Sequence, residues 1–305
     1  MAQSANMDAS ELARDIAAGL ASATTATERA ALVPAELVEA IQQLKTQRDA
    51  VILAHYYVAP EVQAVADYVG DSFYLAKLAK SLPQQTIVLC GVEFMGESAK
   101  LLNLTKTVLL PEPGADCPMA HMVKRETVDA ARAELPQQHI LFIPDQNLGR
   151  FVAEQVPQKH VILNNGYCPR HHIITVEQIV DAQEAHPDAL VLAHPECKAD
   201  VLAEADYIGS TAGIIKYAEE SDASEFIIVT VRGVLYELER RCQGTGKKFY
   251  FPAVQPTCVN MDLITLEKLV RCLETGEGEV QIGVSDEAAD QAKLTLDRML
   301  EYAAR

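Results

Sequence analysis

DAVILAHYYVAPEVQAVADYV, residues 49–69, holds the reading on which the fold turns. Its apolar run VILA is of strand length and ends in polar groups, His55 and two tyrosines, and PEVQAVADYV behind it reads as a helix. The same order recurs along the chain. QQTIVLCGVEF (84–94) is followed by MGESAKLLN, and TVLLP (107–111) is a third strand. HILFIPD (139–145), HVILNNG (160–166), ALVLAHPEC (189–197), ADYIGS (205–210), EFIIVTV (225–231) and KFYFPA (248–253) follow, with helices fitting between most of them. Strands alternating with helices predict an α/β chain built on parallel sheets. In such sheets chemistry collects at the C-terminal ends of strands, where this sequence places His55, Asn164, Cys168, His194, Glu196, Ser210 and Thr211. Several small sheets facing one cleft account for so many strand-end groups better than one open sheet does. No exact repeat is visible, and no Gly/Ser-rich or charged linker marks a boundary, so breaks near 115–120 and 170–185 are expectations from the pattern alone.

Composition narrows the function. The 305 residues are 49% hydrophobic, enough for two or three compact domains with real cores. A net charge of −17 repels phosphate backbones and anionic lipid, which argues against nucleic-acid and membrane partners. An anionic small substrate must then be met by local helix N-termini, histidines or a metal. No apolar run reaches the length of a membrane-spanning helix. The Ala-rich N-terminus carries Asp8, Glu11 and Asp15, which speaks against a secretory or organellar leader and for a cytoplasmic protein with a helical or frayed extension. Seven dispersed cysteines then read as reduced thiols, some of them candidate metal ligands.

Cys272 and Cys242 fall in helical stretches and Cys90 ends a strand, positions that suit buried small side chains. Cys117 in EPGADCPMAHM, Cys168 in NNGYCPRHH and Cys258 in QPTCVNM instead fall in loops before expected helices, where backbone amides favour a thiolate. Their separation is wrong for a zinc knuckle. It suits either an iron–sulfur cluster, whose ligands need only be close in space, or unconnected thiols. Spacing does not choose between the two. HPEC (194–197) pairs His194 with Glu196 across a stiffening Pro195, and GSTAG (209–213) offers hydroxyls at a helix start. Those hydroxyls suit an anion cradle or simple N-capping by Ser210 or Thr211. A zinc site on Cys168, His171 and a carboxylate is a further arrangement open to these residues.

In this order, LAHYYVAPEVQAVADYVGDSFYLA, CGVEFMGESAKLL, ILFIPDQNLGRFV, NNGYCPRHH, HPECKADVLAEADYIGSTAGIIKYA and CVNMDLITLEKL resemble the quinolinate synthase family from about residue 35 to the C-terminus. The resemblance implies a transferase that condenses iminoaspartate with dihydroxyacetone phosphate to quinolinate, phosphate and water in NAD biosynthesis. L-aspartate oxidase would be its supplier. It implies three similar three-layer αβα domains with short parallel sheets around a central [4Fe-4S] cluster. Cys117, Cys168 and Cys258 match the cluster ligands. His55, Ser72, His194, Pro195, Glu196 and Thr211 match substrate-contacting positions, with Glu196 and His194 the catalytic pair. The expected partition is an extension at 1–34, a first domain at 35–115, a truncated second at 116–170, a third at 171–258, and C-terminal helices at 259–305 packing back on the first. The expected assembly is a monomer or homodimer.

The family carries a further strand–helix–strand–helix segment in the middle domain, with a Tyr-x-Asn and a Thr-Ser-x-Asn-Ala motif that both bind substrate. Here CPMAHMVKRETVDAARAELP runs almost directly into QQHILFIPD, so at least one strand–helix unit is missing. Val231 and Asp262 also replace residues that are usually acidic and often Lys, respectively, in the family. The alternative to a working enzyme is therefore a catalytically impaired, cluster-binding paralogue or deletion variant.

Overall fold

The computed structural model describes residues 26–134, 139–253 and 256–304. The part of the expected extension at 1–25 lies outside these; Ala26–Ala31 is a short helix, and the helix Ala35–Arg48 follows Pro34. The chain divides into two compact units: Cys117–Cys258, and the residues on either side of it. The class is α/β, with three short sheets whose strands pair in parallel.

The flanking unit holds a four-stranded sheet in the order β2-β1-β3-β4, made of β1 (Ala50–His55), β2 (Tyr68–Gly70), β3 (Thr86–Cys90) and β4 (Thr107–Leu109). Every residue of β1 and β3 is buried, as expected of a parallel sheet covered on both faces. The opening stretch needs one correction. Its helix covers only Pro60–Val65, and Tyr68 starts a strand rather than continuing a helical run. Asp67 causes the change, because its carboxylate accepts the Ile52 N–H (2.8 Å) and its own N–H donates to the Ile52 carbonyl (3.0 Å), pinning the chain beside β1. Residues 278–280 return along the outer edge of β4, where the Leu110 N–H donates to the Gly278 carbonyl and the Val280 N–H to the Val108 carbonyl. A Cβ at Gly278 would lie 2.1 Å from the Leu110 oxygen at φ +89°, so this edge is covered only because the residue is glycine.

The other unit contains two sheets. β7 (Leu190–Ala193), β8 (Tyr207–Ile208), β9 (Glu225–Val229) and β10 (Lys248–Tyr250) pair in the order β8-β7-β9-β10, which is the topology of the first sheet. The repetition extends to register. Val51 pairs with Ile87 and Leu190 with Phe226, in both cases 36 positions apart; Leu53 pairs with Tyr68 and Leu192 with Tyr207, in both cases 15 apart. The two sheets superpose at a spacing of 139 residues, which aligns Leu-Ala-His (53–55) with 192–194 and Ala-Asp-Tyr-x-Gly (66–70) with 205–209. Asp206 repeats the role of Asp67, accepting the Val191 N–H at 2.8 Å. The repeat escapes a search for long exact copies because the kept residues form two short, separated groups.

Between these in the sequence comes a sheet of two strands, β5 (His139–Phe142) and β6 (His160–Leu163). Their register of 21 positions, His139 to His160, equals that of β3 and β4, Thr86 to Thr107. The helical segments after β3, β5 and β9 begin at Glu93, Gln146 and Arg232, each seven residues from the strand start. β5 and β6 thus correspond to the third and fourth strands of the other two sheets.

Candidate functional site

Cys117, Cys168 and Cys258 occupy one topological position three times over, in the loop after the fourth strand of a sheet: β4 ends at Leu109, β6 at Leu163 and β10 at Tyr250. Each is followed by a single helical turn, at Ala120–Met122, Pro169–His172 and Met261–Leu263. The N–H groups of Met119 and Ala120 point at the Cys117 sulfur, and those of Arg170 and His171 at the Cys168 sulfur, a donor arrangement that suits thiolate. Against this, burial raises both thiol pKa values, and the negative charge of Glu196 raises them further; Cys117 also feels Cys258, and Cys168 feels Cys117. A cation among these groups would relieve that penalty. All three are half-buried, whereas Cys90, Cys197, Cys242 and Cys272 are buried.

Local bonds hold the cysteine loops. Asp145, fully buried, caps the helix Gln146–Gln155 through the N–H groups of Asn147 and Leu148 (both 2.8 Å) and accepts the Cys168 N–H at 2.7 Å. Asn164 donates to the carbonyls of Pro144 (2.9 Å) and Met122 (3.4 Å), tying the turn after Cys117 to the loop of Cys168. Asn147 donates to the Glu196 carbonyl at 3.1 Å.

Glu196 is the electrostatic centre. Burial by itself would raise its carboxyl pKa, but the hydrogen bond from His171 and the fields of His194 and His171 hold it well below the usual carboxylate range, so it is ionised. His171 is wholly buried, with Nδ1 2.9 Å from Glu196 Oε2 and Nε2 2.9 Å from Thr230 Oγ1. His194 stacks on it at 4.5 Å, and its Nδ1 accepts the Glu196 N–H at 3.3 Å. Pro195 between them is buried. Ligand atoms of Cys168, His171 and Glu196 lie within 4.8 Å of one another, a set able to hold a metal ion. At the end of β8, Ser210 rather than Thr211 caps the next helix, accepting the Gly213 N–H at 3.2 Å; Thr211 is its buried first residue.

His55 and Ser72 belong to the flanking unit. His55 is buried at the end of β1, its Nδ1 accepting the Tyr57 N–H at 3.1 Å as His194 does for Glu196. Ser72 opens the helix after β2, with Asp71 as the cap. Unaided sequence reasoning passed over Asp145, Asn147 and Thr230. The Pro-Asp preceding a helical run was a visible capping signal, whereas Thr230 carried none.

The family described as quinolinate synthetase A protein matches this chain in two stretches, residues 39–139 and 133–301. The chain is 39% identical over 303 residues to quinolinate synthase of Clostridioides difficile strain 630, covering 88% of this chain and 98% of that protein. It is 41% identical over 298 residues to that of Fusobacterium nucleatum (86% and 98%) and 40% over 306 to that of Methanosarcina barkeri strain Fusaro (89% and 99%). In each alignment the length exceeds the covered part of this chain by about 35 positions, the size of a βα-rich half-domain. The family match breaks at 133–139, immediately before β5.

Proposed function

This chain belongs to the quinolinate synthase family, and from that premise we propose that it condenses iminoaspartate with dihydroxyacetone phosphate to quinolinate, phosphate and water in NAD biosynthesis, as a [4Fe-4S] protein with Cys117, Cys168 and Cys258 as ligands. The observation carrying this reading is the threefold recurrence of a half-buried cysteine after a fourth strand, with the three thiols electrostatically coupled in one unit. The donor set fits the group: three sulfurs and amide donors aimed at two of them. When bound there, such a cluster supplies a Lewis-acidic iron that polarises a substrate oxygen.

The chain's own residues supply the rest. Glu196, ionised, is the proton acceptor during condensation and ring closure. His171, backed by Thr230, keeps the carboxylate aimed, and His194 orients a substrate oxygen. The helix start at Thr211, with Pro195 stiffening the opposite loop, receives carboxylate or phosphate oxygens. His55 and Ser72 are the proposed contacts from the flanking unit. The same proposal takes 35–115, 116–170 and 171–258 as three domains, with 259–305 completing the first. It takes the assembly as a monomer or homodimer in the cytoplasm, with L-aspartate oxidase as supplier and no nucleic-acid or membrane partner. Among the described residues no helix is long and apolar enough to cross a membrane.

The roughly 35 aligned positions without a counterpart favour a second reading, an impaired cluster-binding paralogue. Anaerobic purification with iron and sulfide analysis comes first: about four irons per chain support the cluster, and stoichiometric zinc, on Cys168, His171 and Glu196, sinks it. Quinolinate formation is then assayed against a Glu196→Gln control. Product above that control supports the enzyme; none leaves the paralogue.

A further inference from the structure

Each of the three sheets starts its last two strands on a matched pair of residues. Thr86 stands opposite Thr107 at the start of β3 and β4, Glu225 opposite Lys248 at the start of β9 and β10, and His139 opposite His160 at the start of β5 and β6. Opposite residues in neighbouring parallel strands share a face and lie about 4.8 Å apart, so their side chains meet. Glu225 and Lys248 use the place for an ion pair at 2.9 Å. Two histidines have no opposite charges to offer each other, and their contact is of another kind.

The two rings are arranged as a chelate. They cross at 81° with centroids 4.6 Å apart, so they do not stack. Nδ1 of His139 faces Nδ1 of His160 within hydrogen-bonding distance. Only one hydrogen fits between two such nitrogens, so at least one of them presents a lone pair. A divalent ion takes the lone pairs of both and leaves the Nε2 atoms to carry the hydrogens. His139 is half-buried and His160 exposed, which gives an ion access from solvent.

Ligand type sets the class of ion. Imidazole suits borderline transition metals, whereas Mg²⁺ and Ca²⁺ take oxygen. Among the described residues no third His, Cys, Asp or Glu joins the pair, while Cys168, His171 and Glu196 do form a group of three. The two sets lie at opposite ends of one sheet, since the pair starts β5 and β6 and Cys168 follows the end of β6.

We propose that His139 and His160 form a two-histidine site for a divalent transition metal of the Ni²⁺, Cu²⁺ or Zn²⁺ type, with water completing its coordination. The ion ties β5 to β6 at their first residues. A two-stranded sheet is marginal by itself, and this one has two strands where the others have four. The site requires neither cluster nor turnover, so it stands apart from the proposed reaction.

The untagged full chain, purified anaerobically, is titrated with Ni²⁺ by calorimetry, and nickel-edge X-ray absorption is recorded at one equivalent. One ion per chain is expected, with imidazole and oxygen neighbours and no sulfur. His139→Asn and His160→Asn should each weaken binding at least about tenfold, since loss of a ligand costs no less than loss of its supporting bond. Ni²⁺ should slow amide exchange in β5 and β6 of the unaltered chain at least about tenfold and leave both variants unchanged. Absence of stoichiometric binding overturns the inference, as does binding that survives either substitution. Sulfur in the absorption spectrum overturns it as well, because the ion would then sit at Cys168. Exchange that bound Ni²⁺ leaves unaltered would refute the tie between the strands.

Discussion

The β7–β10 sheet and the β5–β6 sheet follow the same rules in the same unit, yet the first buries its two central strands and the second leaves both of its strands half-exposed. Phe226, in a four-stranded sheet, is wholly buried; Ile140, at the matching place, is 39% exposed. The difference lies in neighbours rather than in local sequence, because HILF and EFII are equally good strands. What survives in the short sheet is the half that ends in a cysteine loop. What is missing is the half that, in the other sheets, ends in His55 and Ser72 or in His194 and Thr211. On the proposed reading, every half that would bear a cluster ligand is present, while one of the three halves that would face substrate is absent.

The largest effect expected is all-or-none. Cys117→Ser, Cys168→Ser and Cys258→Ser should each abolish the iron and sulfide content of anaerobically purified protein, and Cys90→Ser and Cys272→Ser should leave it intact. A retained cluster in any of the first three would break the equivalence of the three fourth-strand loops.

Core truncation tests the comparison directly. Phe226→Ala and Ile87→Ala should cost about 3–5 and 2–5 kcal/mol in denaturant unfolding, whereas Ile140→Ala should cost under about 1 kcal/mol. Equal losses would mean that β5 is covered in solution. Gly278→Ala should cost about 1–3 kcal/mol, because its Cβ would meet the Leu110 carbonyl beside the covered edge of β4; an unchanged melting temperature would refute the close approach.

A smaller effect is expected at Glu237, buried beside the complete sheet and bonded by Arg240 (2.7 Å) and Arg241 (2.9 Å). Burial alone would raise its carboxyl, but those two bonds hold it below the ordinary value. A depressed folded pKa contributes stability that is whole above the unfolded value of about 4.3 and is lost as pH falls through the folded one. Glu237→Gln should thus cost about 1–2 kcal/mol at neutral pH and progressively less in acid, as thermal melts at pH 7 and pH 3 would register.

Much of this was legible in residues. Strand-length apolar runs ending in His, Cys, Ser or Thr, with helices between them, determined the α/β class and put the candidate groups at strand ends. The same reading carried Tyr68 and Val69 into a helix, because a two- or three-residue strand has too few alternations to show a period, and its position depends on Asp67 bonding a strand fifteen residues earlier. His171 looked like a possible metal ligand by its spacing from Cys168, and its actual neighbours, Glu196 and Thr230, come from the ends of other strands.

By itself, then, the sequence determined the kinds of element, the loop cysteines, the family and the loss of a segment before residue 139. The tertiary structure decided which strands are neighbours, and hence that β5 and β6 match the third and fourth strands of the other sheets and that Ile140 and Ile143 are exposed. The reason is physical: helix and strand periods are set by residues a few positions apart, while parallel pairing joins residues 15 to 36 positions apart through backbone bonds that no side-chain pattern encodes.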